Sequence, residues 1–362
     1  MQLKIHFLNV GHGDCTIIEH PSGRVTIVDV NRDPLLDTTT ASELYGLQYS
    51  LNKILDGNRQ QESVPLLLSR TRKSLEEFAT EQYQIQQRKL VDPLRYYRTN
   101  IIDNSGNPRP IWRFVVTHPD CDHFHGLQDF MLSGIPIHNM WDTANTKPTP
   151  SFSREGHENA WWTYQWIRSK KCSNTRTLQL YRGETGTFWN QGDSFFDPGD
   201  GISILAPTRS MAERANQREC WNLHSYVLKL QYGGRSVILG GDADEETWQD
   251  IVDTLGAEAI RCDVLKAAHH GRDSGYSQPA VKAMSPSYTI VSVGTKPDTD
   301  ASRKYAHYSG NVLSTRSAGT IVVTIFWDGR IVVEKESDRE FSGALHALFN
   351  SEFWANMPNP NG

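Results

Sequence analysis

Paired cysteines are missing from this 362-residue chain. Its five, Cys15, Cys121, Cys172, Cys220 and Cys262, are widely spaced and never set as C-x-x-C. That excludes a disulfide framework and a cysteine zinc knuckle, and it favours a reducing cytoplasm with the thiols acting as small buried hydrophobes. Long apolar runs are missing as well, so no membrane crossing is expected. The opening residues Met1 to Phe7 lack the basic region and apolar stretch of a secretory signal, which reads as the start of a soluble chain. Nor is there a basic excess. Lys and Arg number 37 against 42 Asp and Glu, a net charge of −5, which argues against a protein held to a polyanion by its global field while leaving room for a local basic groove. With 38% hydrophobic residues, 27 Gly and 17 Pro, the composition suits a chain with a substantial core and excludes wholesale disorder.

Strands open the chain. Leu3, Ile5 and Phe7 alternate with polar residues, and Thr16-Ile17-Ile18 and Val25-Thr26-Ile27-Val28 flank a Pro21-Ser22-Gly23 turn, the pattern of a β-meander. Helical signals then dominate from Asn31 to about Pro110. Thr40 with Glu43 and Ser74 with Glu77 have capping-box spacing ahead of apolar residues at helical intervals. We read 31–110 as a helical insertion in a main domain made of 1–30 and 111–340, with 341–362 as a C-terminal tail. Ile111 to Val116 is an apolar run suited to a buried strand. A strand-rich half follows at 203–205, 226–230, 236–239, 288–292 and 320–324, with helical stretches near Glu245–Leu255 and Gln278–Met284. Largely antiparallel strands with interspersed helices predict an α/β fold of two sheets covered by helices, and no internal repeat is evident.

The sharpest chemical signal is Thr117-His118-Pro119-Asp120-Cys121-Asp122-His123 at the end of the strand beginning at Ile111. His118 and Asp120 point to the same side of an extended backbone. With Asp122 and His123 they place four nitrogen or oxygen donors in six residues, a set suited to borderline or hard divalent cations such as Zn²⁺ or Mn²⁺. Asp242, in Gly240-Gly241-Asp242 after another apolar strand, is placed to bridge two cations, although Gly-Gly-Asp is also an ordinary turn. A third strand delivers His269 and His270 to Gly271. Three strand ends carrying metal-competent donors make a joint site a stronger reading than any one of them alone.

These residues resemble the metallo-β-lactamase superfamily, and within it the branch containing the hydrolase domain of the ComEC/Rec2 competence proteins. The matching stretches are Phe7 to Asp14, Thr117 to His123, Asn222 to Leu228, Leu239 to Asp242, Asp263 to Gly271, and Val291 to Gly294 leading to His307. The resemblance implies a metallo-β-lactamase-type αββα sandwich carrying the helical insertion. It implies His118, Asp120, Asp122 and His123 as metal ligands, Asp242 as the bridge, and His269 as the histidine completing the site, with His270 behind it or facing substrate. Asp14 and Asp29 would support the site from beneath, while Asp14 fits equally well as a cap of the Gly11–Gly13 turn. Two departures matter. Asp120 stands where many members have a second histidine, and Ser225 occupies the nearest mid-chain ligand motif. Both favour oxygen over nitrogen, so zinc preference should weaken and Mn²⁺ or Mg²⁺ become usable. Asn31, where the branch often has glycine, is a smaller departure.

The implied activity is that of a metal-dependent hydrolase, foremost a phosphodiesterase or nuclease in which two divalent ions generate a metal-bridging hydroxide. Asp122 sits at the reacting centre, and His270 or His307 would protonate the leaving group. Lys266, Lys304 and Arg272, with Ser225, would meet a phosphodiester substrate such as DNA or a nucleotide. Trp161, Trp162, Tyr164 and Trp166, followed by Arg168, Lys170 and Lys171, read either as a base-stacking platform or, with better odds, as a buried helix face. The insertion fits a lid, a partner-docking arm or a self-association contact. Two alternatives stand beside the leading one: a hydrolase of another bond (ester, thioester or lactam), and a non-catalytic regulatory or binding module that keeps the fold.

Overall fold

Alternation at the N-terminus sets the first layer. In β1 (Gln2–Phe7), Leu3, Ile5 and Phe7 turn to one face and are fully buried, as a period of two requires when only one face meets a core. The structure, a computed structural model, describes residues 1–32, 83–152, 154–172, 174–184, 199–294 and 299–338. The strands that follow are β2 (Cys15–Glu19), β3 (Val25–Val30), β4 (Ile111–Val115), β5 (Ile137–Asp142), β6 (Arg176–Gln179), β7 (Ile202–Ala206), β8 (Val227–Tyr232), β9 (Arg235–Leu239), β10 (Val264–Lys266), β11 (Tyr288–Val291), β12 (Asn311–Ser314), β13 (Ile321–Phe326) and β14 (Ile331–Lys335). The helices are α1 (Pro93–Asn100), α2 (Leu127–Leu132), α3 (His157–Arg168), α4 (Arg209–Arg218), α5 (Glu245–Leu255), α6 (Gln278–Met284) and α7 (Ser302–Ala306), with a further helical turn at Thr315–Ala318.

One sheet runs β14-β13-β1-β2-β3-β4-β5-β6 and the other β12-β11-β10-β9-β8-β7. Between them lies an apolar layer to which Leu3, Ile5, Phe7, Val28, Val115 and Trp141 contribute from the first sheet, and Ile204, Leu228, Leu230, Leu239, Val264 and Ile290 from the second. At roughly 1.5–3 kcal/mol for each fully buried large side chain, this layer is the main force holding the sheets face to face. Tyr97, Phe130, Trp161, Tyr164 and Ile167 cover the outer face of the first sheet. Met211, Trp248, Ile251, Val281, Met284 and Tyr305 cover that of the second. The layering is the expected αββα sandwich.

The strand directions correct the sequence reading. Both sheets are mixed: β1-β2-β3 and β7-β8-β9 are antiparallel meanders, whereas β3-β4-β5-β6 and β9-β10-β11-β12 are parallel. Each sheet thus repeats one connectivity, a meander followed by parallel strands, although no repeat is legible in the residues. A parallel pair needs a crossover, and α5 between β9 and β10 supplies one.

Within the stretch read as an insertion, residues 33–82 lie outside the described set, as do the capping signatures at Thr40 and Ser74. The described remainder carries α1, whose Tyr97 packs into the helical layer. Residues 339–362, including the expected tail, also lie outside it. Cys15, Cys172 and Cys262 are buried as expected, but Cys121 is half-buried and Cys220 exposed at the end of α4. Among the described residues no helix is long and apolar enough to cross a membrane.

Candidate metal centre

Every motif reaches the same edge of the sandwich because parallel strands all deliver their C-terminal ends there. The most heavily determined residue is Asp29. The β2–β3 register shifts between Cys15 and Thr16, pairing Cys15 with Val30 and Thr16 with Val28, so Asp29 is the extra residue of a bulge. Its φ of 57° is a left-handed conformation that costs free energy for a residue other than glycine and re-aims the side chain. Its carboxylate accepts from Thr117 N (2.7 Å), Thr117 Oγ1 (2.7 Å) and His123 Nδ1 (2.8 Å). With Nδ1 protonated toward Asp29, the lone pair of His123 is on Nε2 and points into the site.

Around His123 stand the expected donors. His123 Nε2 lies 3.4 Å from Asp242 Oδ1 and 3.8 Å from Asp122 Oδ2, and His118 Nε2 lies 3.8 Å from Asp242 Oδ2. His270 Nε2 is 3.3 Å from Asp122 Oδ2 and 3.6 Å from Asp242 Oδ2. The ligand atoms of His118, His123 and Asp242 fall within 4.8 Å of one another, as do those of Asp14, Asp242 and His270, and those of His12, Asp122 and His270. His118 Nε2, His123 Nε2 and Asp242 Oδ1 are buried with no hydrogen-bond partner. Converging orphan donors of this kind fit a cation, because an unpaired buried polar atom is otherwise a cost of about 1–3 kcal/mol.

Charge tells the same story. Burial would raise the Asp242 carboxyl, yet His270, His123 and His118 hold it well below the usual carboxylate range. Asp122 is likewise held down against its burial, chiefly by His123 and His270. Burial would lower the imidazoles, but Asp242, Asp29 and Asp122 raise His123, and Asp242 and Asp14 lift His270 to about 10. The pocket is an anionic cage that retains protons where cations would sit.

The backbone explains the ordering of the two adjacent histidines. His269 and His270 take consecutive left-handed conformations, φ 49° and 55°, in a tight turn after β10. That turn sends His270 inward, where Nδ1 faces Ser292 O at 3.2 Å. His269 is more exposed: its Nδ1 pairs with Ser274 Oγ at 2.8 Å and its Nε2 stands 3.8 Å from Asp242. Sequence reasoning placed His269 in the ligand set; the clusters of ligand atoms contain His270.

Other expected site residues sit differently. Lys266 is 3% exposed and its ammonium donates to Asp14 Oδ2 at 2.5 Å, so its charge holds Asp14 in place inside the protein. Asp14 therefore lies beneath the centre, also 3.7 Å from His270 Nδ1. Ser225 is buried and its Oγ accepts from Asp242 N at 3.2 Å, which orients Asp242. Gly241, with φ 51°, allows that turn: a Cβ there would lie 2.8 Å from Tyr226 O. Lys304 pairs with Asp273 at 2.8 Å on the surface. His307 is exposed just past α7, and among the described residues no polar contact joins it to the centre. Asp120 is brought to the site, 3.6 Å from His118 Nε2, but Lys147 Nζ contacts its other oxygen. The aromatic cluster divides: Trp161 and Tyr164 are buried, while Trp162 and Trp166 are 52% and 46% exposed. Asn31 carries its amide to His12 O at 2.7 Å.

Sequence reasoning missed His12 and Lys147. His12 is flanked by Gly11 and Gly13, its ring centroid lies 4.9 Å from that of His270, and its Nε2 accepts from Arg272 at 3.1 Å. The glycine brackets were the available signal.

No protein-family model matches the chain. Recombination protein 2 of Haemophilus influenzae is 29% identical over 159 residues, 42% of this chain and 19% of that protein. ComE operon protein 3 of Bacillus subtilis is 31% identical over 105 residues, 28% of this chain and 13% of that protein. The chain spans about a fifth or less of the length of these curated relatives. Among solved structures, a mutant CmlA beta-hydroxylase aligns with a TM-score of 0.42 at 11% identity, over 88% of this chain and 53% of that one. The chain thus has distant sequence similarity to ComEC/Rec2 proteins, and it carries candidate metal-binding clusters at the strand ends of an α/β sandwich.

Proposed function

We propose that this protein is a divalent-metal-dependent hydrolase of phosphodiesters. The observation that carries the reading is the meeting of His118 Nε2, His123 Nε2 and Asp242 Oδ1, buried and without hydrogen-bond partners, beside Asp122 and His270. These five residues would hold the metal, Asp242 lying between the His118 and His123 sides. The donor set is two-fifths carboxylate with imidazole nitrogens, chemistry that suits Mn²⁺ or Zn²⁺, and Mg²⁺ less well. A cation held there supplies Lewis acidity toward a phosphoryl oxygen and lowers the pKa of water. Asp29 fixes the His123 tautomer, and Ser225 and Gly241 aim Asp242. Arg272, bonded to His12 at the margin of the centre, supplies a guanidinium suited to a phosphate oxygen. His12, whose ring centroid lies 4.9 Å from that of His270 and whose Nε2 accepts from Arg272, would help Arg272 meet that oxygen. His269, more exposed than His270, faces substrate.

The phosphodiester assignment draws on the resemblance of the motifs and on a relative named as a recombination protein. The test is hydrolysis of single-stranded DNA, duplex DNA, RNA and cyclic nucleotides across Mn²⁺, Zn²⁺ and Mg²⁺, beside a panel of carboxylic esters, thioesters and lactams. We expect cleavage of a phosphodiester, lost on chelation and in Asp122→Ala. Turnover confined to the carbonyl substrates would overturn the substrate class. Activity indifferent to Asp122→Ala would overturn the site.

A further inference from the structure

The half of the centre at His118 and Asp120 already contains a positive charge. Lys147 lies on the loop after β5, with its Nζ against Asp120 Oδ1, while Asp120 Oδ2 stands 3.6 Å from His118 Nε2. Burial would raise the Asp120 carboxyl, but His118 and Lys147 hold it below the usual range. The lysine is not a free surface arm, since its side chain is only 15% exposed and its ammonium lies 6.0 Å from the centroid of the Trp221 ring. Its loop is tied down on both sides. Thr146 N donates to Asn216 Oδ1 (2.9 Å), Asn216 Nδ2 donates to Ala144 O (2.8 Å), and Arg168 Nη2 donates to Asn145 O (2.7 Å).

The other half is built differently. Asp122 and Asp242 are faced by the imidazoles of His118, His123, His269 and His270, and among the described residues no lysine or arginine forms an ion pair with either. An imidazole surrenders its proton and becomes a metal ligand; an ammonium offers no lone pair while it stays charged, and it repels an incoming cation. The two halves therefore present different surfaces to the same ion.

We propose that Lys147 is a tethered cation that makes the centre asymmetric. One divalent ion binds firmly among Asp122, His123, Asp242 and His270, and the His118–Asp120 half accepts a second only when the ammonium leaves Asp120. With a single ion bound, Lys147 supplies at that half the positive charge a second ion would bring. This rests on the metal-dependent reading above and adds its stoichiometry.

The experiment is a titration of the chelator-treated full chain with Mn²⁺, with bound ion counted by electron paramagnetic resonance and affinities taken from calorimetry. Wild type should take up one tight ion per chain, with a second at least tenfold weaker. Lys147→Met, which keeps the length of the stem and removes the charge, should strengthen the second ion at least tenfold and leave the first unchanged; Lys147→Gln should do the same. Lys147→Arg should keep the wild-type pattern. Two equally tight ions in wild type, or titrations of Lys147→Met and Lys147→Gln that overlay wild type, would overturn the role of Lys147 while leaving the metal-dependent reading intact. No bound ion in any form would overturn both.

Discussion

Replacing Asp29 by Asn isolates the role of the carboxylate that orients His123. Asparagine has the same shape and tolerates the left-handed φ of 57°, so the bulge survives where alanine would strain it. What changes is the acceptor. Asp29 Oδ2 takes hydrogen bonds from both Thr117 Oγ1 and His123 Nδ1. An amide nitrogen in that place donates instead, and the Thr117 hydroxyl rotates to accept it. His123 cannot adapt without moving its proton from Nδ1 to Nε2, the atom that faces Asp242. A ligand nitrogen is then blocked by its own hydrogen. Loss of such a supporting group typically weakens metal binding by about 10–100-fold, or about 1.4–2.7 kcal/mol. The folded state also loses roughly one charge-assisted hydrogen bond, about 1.5–3 kcal/mol. Calorimetric titration with Mn²⁺ reads the first quantity, and urea unfolding in chelator reads the second. If Asp29→Asn binds the ion within about twofold of wild type while His123→Ala loses it, the tautomer argument is wrong.

Three further outcomes follow from packing and charge. Arg113, fully buried on β4, pairs with Asp200 just ahead of β7 and so links the two sheets. Arg113→Met removes the closest cation from buried Asp200, which keeps Arg24 at 3.6 Å and the Ser22 hydroxyl, so it should cost no more than about 3–5 kcal/mol in urea unfolding, and the double change with Asp200→Leu should recover much of the loss; equal losses in the two would refute the pairing. Burial lowers His20 to about 3 and His224 to about 4. Because both folded values lie below the unfolded 6.5, their stability is present above that pH and drains as pH falls toward 4, by about 1.4 kcal/mol per pH unit for each fully titrating group. His20→Asn should flatten the slope of unfolding free energy between pH 6.5 and about 4.5 by nearly one proton, and an unchanged slope would remove His20 from the account. Gly241→Ala forces a Cβ to 2.8 Å from Tyr226 O at a φ of 51°, so it should cost about 1–3 kcal/mol and displace Asp242 enough to weaken Mn²⁺ binding. Wild-type values for both would show the turn to be slack.

What could be read in the residues was whatever depends on short-range periodicity. The Thr117–His123 run and the Gly240–Asp242 turn were legible because a buried strand followed by polar donors has few other uses, and α5 and α6 were legible from their 3.6-residue pattern. Edge strands β6 and β12, half-exposed and short, gave too weak an alternation to be seen. Residues whose partners lie on the far side of the fold could not be placed from the sequence. Lys266 looks like a substrate cation in isolation, yet its partner Asp14 lies 252 positions away. The choice between His269 and His270 turns on two consecutive left-handed backbone conformations, which no side-chain pattern announces.

Lys147 belongs with the departures that the sequence did show. Against the pattern the motifs resemble, Asp120 in place of a histidine and Ser225 in place of a mid-chain ligand would each make the His118 half poorer in nitrogen, which taken alone would weaken a second metal site there and leave it with excess negative charge. A lysine delivered from the loop after β5 removes that excess: a carboxylate can pair with an ammonium, and an imidazole ligand in its place could not. The serine, freed from ligation, serves instead as the acceptor that orients Asp242. Under the proposed asymmetry, the two departures and Lys147 are mutually consistent as one arrangement, in which a single ion would be caged firmly and the neighbouring charge would be covalently supplied.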